Sequence, residues 1–109
     1  MPNKYVNAKK DLSSTSVTTL YTAPALTTAI VKSILVSEDS GNADTITVTI
    51  TDAESSPATF SLYKTKTISS NATEELLTAP LVVKTGEILK VTAGHANRIH
   101  VTASILEVS

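Results

Sequence analysis

The sequence predicts an all-β domain of about eight antiparallel strands, and two observations support that prediction. Between Asp44 and Asp52, isoleucine and valine alternate with threonine, so one face of an extended chain is apolar and the other is polar. β-Branched side chains such as these favour strands over helices. Turn-forming residues also recur about every 8–12 positions, which is the spacing typical of an all-β sandwich or barrel.

Length and composition restrict the classes of function. A chain of 109 residues with a formal net charge of -1 is one domain without the basic surface that nucleic-acid binding needs. The chain has no cysteine, so we expect neither disulfides nor a thiolate metal site. It shows no N-terminal apolar signal segment and no apolar run near the roughly 20 residues of a membrane span. We therefore expect no nucleic-acid partner, no membrane partner and synthesis in the cytoplasm.

The first five strands are expected at residues 5–12, 16–22, 28–37, 44–52 and 58–68. Pro24 ends the second strand, because proline cannot donate to a ladder. The third strand holds the longest apolar cluster, around Lys32 and Ser33, which predicts a central strand covered on both faces or a strand with a bulge. Phe60 and Leu62 predict that the fifth strand starts in the core and then runs along an edge, where its lysines oppose aggregation.

The second half of the chain contains shorter strands. Residues 69–77 are predicted as a hairpin loop leading into a short strand, with one helical turn capped by Asn71 as the alternative. Gly86 is expected in a tight turn that requires positive φ. Two final strands follow, whose core phase contains Leu89, Val91, Ala93, Ile99, Val101, Ala103 and Ile105. Leu106 and Val108 fall in the other phase, so we expect the C-terminal end to pack on something outside this core, for which a neighbouring subunit is one candidate.

The sequence shows no constellation that predicts catalysis. His95 and His100 have no Cys, Asp or Glu beside them at metal-ligand spacing, and no serine lies in a G-x-S-x-G elbow. The three glycines are too far apart to cradle a phosphate. We therefore expect a protein that is not an enzyme, with no catalytic residues, no metal and no cofactor. A sugar-binding platform is disfavoured because the chain has no Trp and Phe60 is expected in the core.

The threonines of the fourth strand form a polar, uncharged face that consists of Thr45, Thr47, Thr49 and Thr51. Hydroxyls are less costly to desolvate than charges, so another protein can cover such a face. Threonine is also a good strand former on an exposed face, where it needs no partner. Both interpretations stay open at the level of the sequence.

Several segments follow one another in a recognisable order: residues 20–25, residues 28–36, the threonine-rich strand, residues 80–87 and residues 104–107. This order resembles that of small virion proteins of tailed bacteriophages, in which a Tyr-Thr-Ala-Pro opening, an Ile-Val-Lys-Ser-Ile strand and a Leu-x-x-x-x-Gly-Glu turn recur in a β-sandwich. The similarity covers about residues 17–107. Together with the strand pattern, the resemblance implies a jelly-roll-like antiparallel β-sandwich over residues 13–109, preceded by an N-terminal arm or edge strand over residues 1–12.

The resemblance also implies a structural role. We expect a non-enzymatic virion protein assembled in the host cytoplasm, namely a capsid decoration (cement) protein that binds the major capsid protein or other virion subunits, as a homotrimer. The alternative is a neck or tail accessory protein with a host-surface or glycan-binding role. The residues expected to contact partners are Tyr5, Lys9 and Lys10 near the N-terminus and Leu106 and Val108 near the C-terminus.

Overall fold

Residues 3–109, which the computed structural model describes, form nine β-strands and no helix. The strands are β1 (Asn3–Leu12), β2 (Thr18–Thr22), β3 (Thr28–Glu38), β4 (Asp44–Thr51), β5 (Thr59–Ile68), β6 (Thr73–Glu75), β7 (Leu81–Val83), β8 (Ile88–Ala93) and β9 (Ile99–Val108). Met1 and Pro2, the first residues of the predicted segment 1–12, lie outside the described residues.

The strands form two antiparallel sheets. Sheet A has the order β1-β9-β3-β6, with β7 also paired to β3, and sheet B has the order β2-β8-β4-β5. Each early strand pairs with a late one, as β1–β9, β2–β8, β3 with β6 and β7, and β4–β5. This is a long antiparallel hairpin folded over on itself, which is the jelly-roll arrangement. The predicted antiparallel sandwich is confirmed, and β6 and β7 share one edge position beside β3.

The hydrophobic core lies between the two sheets. Strand β9 supplies alternate residues to it, since Ile99, Val101, Ala103 and Ile105 are at most 1% exposed. Strand β8 supplies Leu89, Val91 and Ala93 in the same way. The core phase predicted for these two strands is therefore confirmed, as expected for strands with one buried and one outward face. Strand β1 adds Leu12 to the core, and its Val6 and Ala8 pack against it.

A bulge in β3 explains how its long apolar cluster fits into a sheet that has one buried face and one outward face. The register against β9 shifts between Val31 and Ser33, which leaves Lys32 as the extra residue. In a regular strand without the bulge, Val31 and Ile34 are three residues apart and would point to opposite faces of the sheet. Both are fully buried, whereas Lys32 is exposed. The predicted bulge is confirmed, and β3 is a central strand with β9 on one side and β6 and β7 on the other.

Strand β5 is the edge strand of sheet B, but its direction relative to the core differs from the prediction. Phe60 is 54% exposed and Ile68 is fully buried, so the strand starts outside the core and ends in it. The expectation of a core Phe60 is wrong. Two register shifts against β4 place extra residues in β5, and Thr65 adopts a φ of 47°. Strict alternation does not hold across such bulges.

Strand β4 has the predicted apolar face. Ile46 and Val48 are fully buried, and Ile50 packs partly buried against the core. On the polar face, Thr45, Thr47 and Thr49 are partly exposed as predicted, but Thr51 is only 8% exposed. Its hydroxyl lies 2.9 Å from the hydroxyl of Thr59 on the neighbouring strand, so the chain itself covers the last threonine of this strand.

The predicted turns have the expected geometry. Gly86 has a φ of 83°, which places it in the left-handed region that a glycine adopts without strain. The segment after β5 is a tight turn with Asn71 at a φ of 54°, and it leads into β6. The predicted short strand is confirmed and the helical turn is not observed, but the predicted hairpin is wrong, because β5 belongs to sheet B and β6 pairs with β3 in sheet A. Asparagine tolerates this region better than most other residues.

We expect Ile46→Ala to lower the free energy of unfolding by about 2–5 kcal/mol, because the truncation leaves a cavity at a fully buried position. The matched variant Thr49→Ala, on the opposite face of the same strand, should cost less than about 1 kcal/mol. Urea denaturation followed by circular dichroism measures both. Equal destabilisation by the two variants would contradict the assignment of faces on β4.

Candidate interaction surfaces

An apolar line of side chains crosses the outer face of sheet A. Tyr5 lies opposite Leu106, and Leu106 lies opposite Ile30. Ile30 in turn lies opposite Val82. Directly opposed residues of antiparallel strands share a face, so these residues form one line across β1, β9, β3 and β7, here named the apolar row.

The apolar row is open to solvent at both ends. Tyr5 is 79% exposed and Val82 is 53% exposed, whereas Leu106 and Ile30 between them are partly buried. Val108, the next outward residue of β9, is 37% exposed. With strands about 4.8 Å apart, the row is about 14 Å wide. Contiguous exposed apolar side chains on a sheet face mark a surface for protein contact.

A depression lies beside the apolar row. It has a volume of about 440 Å³ and is lined by Tyr5, Val6, Asn7, Lys32, Ser104 and Ile105. The short side chains of Asn7 and Ser104 leave this space between the ring of Tyr5 and the bulged Lys32. The depression is lined by one cationic group and no carboxylate, so its lining lacks the pair of groups that acid–base catalysis needs. It is open to a protruding side chain.

The structure brings most of the predicted contact residues together. Tyr5 and Leu106 belong to the apolar row, and Lys9 and Val108 lie on the same outer face. Lys10 falls in the opposite phase of β1, across from Val101, on the exposed edge of the sandwich. The contact role of these residues remains a prediction.

Sequence reasoning missed Ile30 and Val82 as members of the same surface. Val82 stands in a continuous apolar run, Leu81 to Val83, in which no polar residue marks the outward position. Only the pairing of β7 with β3 shows that Val82 faces outward beside Ile30. The register of non-local strands was the missing information.

The outer face of sheet B has a different chemistry. Thr47 lies opposite Thr92, and Thr49 lies opposite Lys90 and Ser61. The threonines are partly exposed, and the hydroxyl of Thr47 accepts a hydrogen bond of 3.0 Å from the backbone N–H of Thr65. The two outer faces of the sandwich are therefore distinct, one with an apolar row and one with hydroxyl groups.

A buried carboxylate fastens the loops at one end of the sandwich. Glu38, at the end of β3, is 1% exposed and accepts hydrogen bonds from the backbone N–H groups of Ser40 (2.8 Å), Gly41 (3.2 Å) and Asn71 (2.9 Å). The Ser40 hydroxyl also donates to it. Burial would raise the pKa of Glu38, but these hydrogen bonds lower the pKa to about 2. Its charge ties the β3–β4 loop to the β5–β6 turn.

Asp44 plays a similar part at the start of β4. Its carboxylate accepts the backbone N–H of His95 at 3.0 Å and lies 3.0 Å from the His95 ring nitrogen Nδ1. Burial would raise the pKa of Asp44, but the hydrogen bonds from His95 and Thr45 lower it. A Cβ on Gly94 would lie 2.6 Å from the Asp44 carboxylate, so a larger residue there would displace the Asp44 side chain.

Glu75 anchors the edge strand β6 to β3. It accepts the backbone N–H of Ile34 at 2.8 Å and the hydroxyl of Ser33. Partial burial would raise the pKa of Glu75, but these bonds and one from the Leu77 N–H lower it. Like Glu38 and Asp44, this carboxylate accepts backbone hydrogen bonds and holds main chain in place, which is a structural task.

No arrangement in the described part of the chain points to catalysis. His100 lies 3.3 Å from Asp11 and 3.4 Å from Asp39 on the exposed surface, where such ion pairs contribute little. Residues 3–109 contain no group of three or more His, Cys, Asp or Glu placed to hold a metal ion. Ser61 and Lys64 have the S-x-x-K spacing, but in an extended strand they stand about 10 Å apart along the chain.

No protein-family model matches this chain, and no curated protein sequence matches it. Among residues 3–109, no helix is long and apolar enough to cross a membrane. Proposals about function therefore depend on the surfaces and on the resemblance of the strand and turn residues.

We expect Glu38→Gln to lower the thermal midpoint at pH 7, because the amide replaces a carboxylate that accepts hydrogen bonds from two loops. A carboxylate with a lowered folded-state pKa stabilises the fold above its unfolded pKa and loses this contribution as the pH falls through the folded value. For Glu38 that window runs from about 4.5 down to about 2. The difference in thermal midpoint between variant and wild type should therefore shrink as the pH falls across this window.

Circular dichroism melts between pH 7 and pH 2 measure this effect, with the exposed Glu54→Gln as the matched control. Asp44 and Glu75 leave some acid sensitivity in every variant, because their pKa values are also lowered. A Glu38→Gln protein as stable as wild type at pH 7 would rule out the anchoring role.

Proposed function

We propose that this protein is a non-enzymatic structural subunit of a tailed-bacteriophage virion, namely a capsid decoration protein that binds the major capsid protein on the assembled head. The observation that carries the proposal is the apolar row on the outer face of sheet A. It unites Tyr5 and Leu106, which the sequence marks as contact residues, with Ile30 and Val82.

The chemistry of the apolar row suits docking of another protein. Tyrosine supplies a large contact area with few rotatable bonds, and it is enriched among residues that dominate binding energy. Polar residues border most of the row, with Asn7 and Ser104 on one side and with Asn3 and Thr28 flanking Val108 on the other. An apolar centre with a polar rim is the usual anatomy of a protein interface.

The proposed mechanism is mechanical. Each subunit contributes one modest contact to the capsid, and the symmetry of the head repeats this contact many times. Linked contacts bind more tightly than isolated ones, since the second contact of an assembled trimer forms at high effective concentration. A homotrimer of this chain would therefore hold neighbouring capsid subunits together without catalysis and without a cofactor.

Cryo-electron microscopy of purified virions from the phage that encodes this chain tests the placement. We expect density for the sandwich on the outside of the head, with sheet A facing the capsid shell or a sister subunit. Density at the neck or tail would support the accessory-protein alternative instead. Complete absence of the chain from purified particles would overturn the assignment as a virion protein.

We expect the double variant Tyr5→Ser/Val82→Ser to bind capsids at least about tenfold more weakly, because loss of two exposed anchors costs roughly 2 kcal/mol of contact energy. Both side chains are mostly exposed, so the variant should keep its fold. Co-sedimentation with capsids that lack the native subunit measures the affinity. The control Thr49→Ala/Thr92→Ala alters the outer face of sheet B and should bind as wild type. Equal binding by both variants would exclude the apolar row as the docking surface.

A further inference from the structure

The apolar row is flanked by positive charges that the chain itself does not neutralise. Lys9 and Lys32 both lie on the outer face of sheet A, and neither has an ion-pair partner among residues 3–109. Two carboxylates of the same face have other partners, since Asp11 lies 3.3 Å from His100 and Glu75 accepts the Ile34 N–H. The surface around the row therefore presents unpaired cations.

A surface of the complementary kind lies on the β4–β5 loop. Glu54 is exposed on this loop and has no ion-pair partner among the described residues. Phe60, at the start of β5, is 54% exposed. The loop and this ring combine an unpaired acid with an apolar group, and residues 52–60 are here named the acidic loop.

The acidic loop is held in one shape before any contact. The carboxylate of Asp52 accepts the backbone N–H groups of Glu54 at 3.3 Å and Ala58 at 3.0 Å. The Asp52 N–H donates to the carbonyl of Ala58 at 3.0 Å, which closes the loop at its base. A preorganised loop loses less conformational entropy when it docks, so it is a better interface element than a free one.

We propose that copies of this chain associate head to tail, with the acidic loop of one copy seated over the depression beside Lys9 and Lys32 of the next, which leaves Leu106, Ile30 and Val82 of the apolar row for the capsid contact. Phe60 would cover apolar side chains beside the 440 Å³ depression, and Glu54 would face Lys9 and Lys32. Within one copy, Glu54 lines a different depression, with Thr28 and Lys84, and makes no ion pair with Lys9 or Lys32.

A contact between two different patches is heterologous, and its repetition produces a closed ring or an open filament. A ring of three copies would be the homotrimer of the proposed function. The inference rests on that function only for the number of copies, because the complementarity of the two surfaces does not depend on what the assembly binds. Both surfaces are present in every copy, so each copy would donate one loop and accept another.

Sedimentation velocity of the full chain over a range of concentrations tests the inference. We expect the wild type to be oligomeric and the variants Lys9→Glu/Lys32→Glu and Glu54→Lys each to raise the dissociation constant at least tenfold. The combination of all three substitutions in one chain reverses both surfaces and should recover most of the affinity. Phe60→Ser should weaken the assembly at any salt concentration, whereas the charge variants should differ most from wild type at low salt.

The control is Lys90→Glu, which reverses a charge on the outer face of sheet B and should leave the assembly unchanged. Thermal melts of each variant separate loss of contact from loss of fold. A monomeric wild type would overturn head-to-tail association but not the proposed function, since capsid co-sedimentation tests that separately. Head-to-tail association would also be overturned if both charge variants leave the oligomer intact. It would equally be overturned if the combined variant fails to restore the oligomer.

Discussion

The position of β9 between β1 and β3 fixes both the interior and the surface of this protein. Side chains alternate along a strand, so the register that buries Ile105 must turn Leu106 outward. The same register places Tyr5 and Ile30 on either side of Leu106. A slip of one residue would exchange the two faces, which would expose the core residues and bury the apolar row. Core packing thus determines which residues the outer face of sheet A presents.

The bulge in β3 connects these two roles. It lets both Val31 and Ile34 enter the core, and it leaves Lys32 on the outer face beside the depression. Bulges re-aim side chains without ending a strand. The position of Lys32, on which the proposed head-to-tail contact depends, is therefore a consequence of how β3 fills the core. The buried Glu38 anchor acts on the same strand, since it closes the loop that follows β3.

The sequence was sufficient for features that depend on local pattern. Alternation on β4 and β9 predicts their buried faces, and Gly86 predicts a turn with positive φ. The sequence was not sufficient for features that depend on residues close in space but distant along the chain. Phe60 lies opposite Ile50, on the core side of β4, but it stands at the start of the edge strand β5 and stays 54% exposed, whereas Thr51 is buried beside Thr59. Both errors are errors of strand pairing rather than of propensity.

The candidate surface also combines residues that the sequence could predict with residues that it could not. Tyr5 and Leu106 could be predicted because their phase opposes that of core residues on the same strands. Their alignment with Ile30 and Val82 could not, since it depends on which strands become neighbours after the hairpin folds over. The anchoring carboxylates were also hidden, because acidic residues in loops are most often solvated and their backbone partners are distant in sequence.

Covering of the outer face of sheet A on assembly is the central claim, and hydroxyl-radical footprinting of free chain and purified virions tests it most directly. In dilute free chain, Tyr5 and Val82 should be oxidised readily, because they are 79% and 53% exposed. In virions both should be protected, while Val17, which is 65% exposed in the β1–β2 loop, keeps its reactivity. Equal oxidation of Tyr5 in the free chain and in virions would contradict the account.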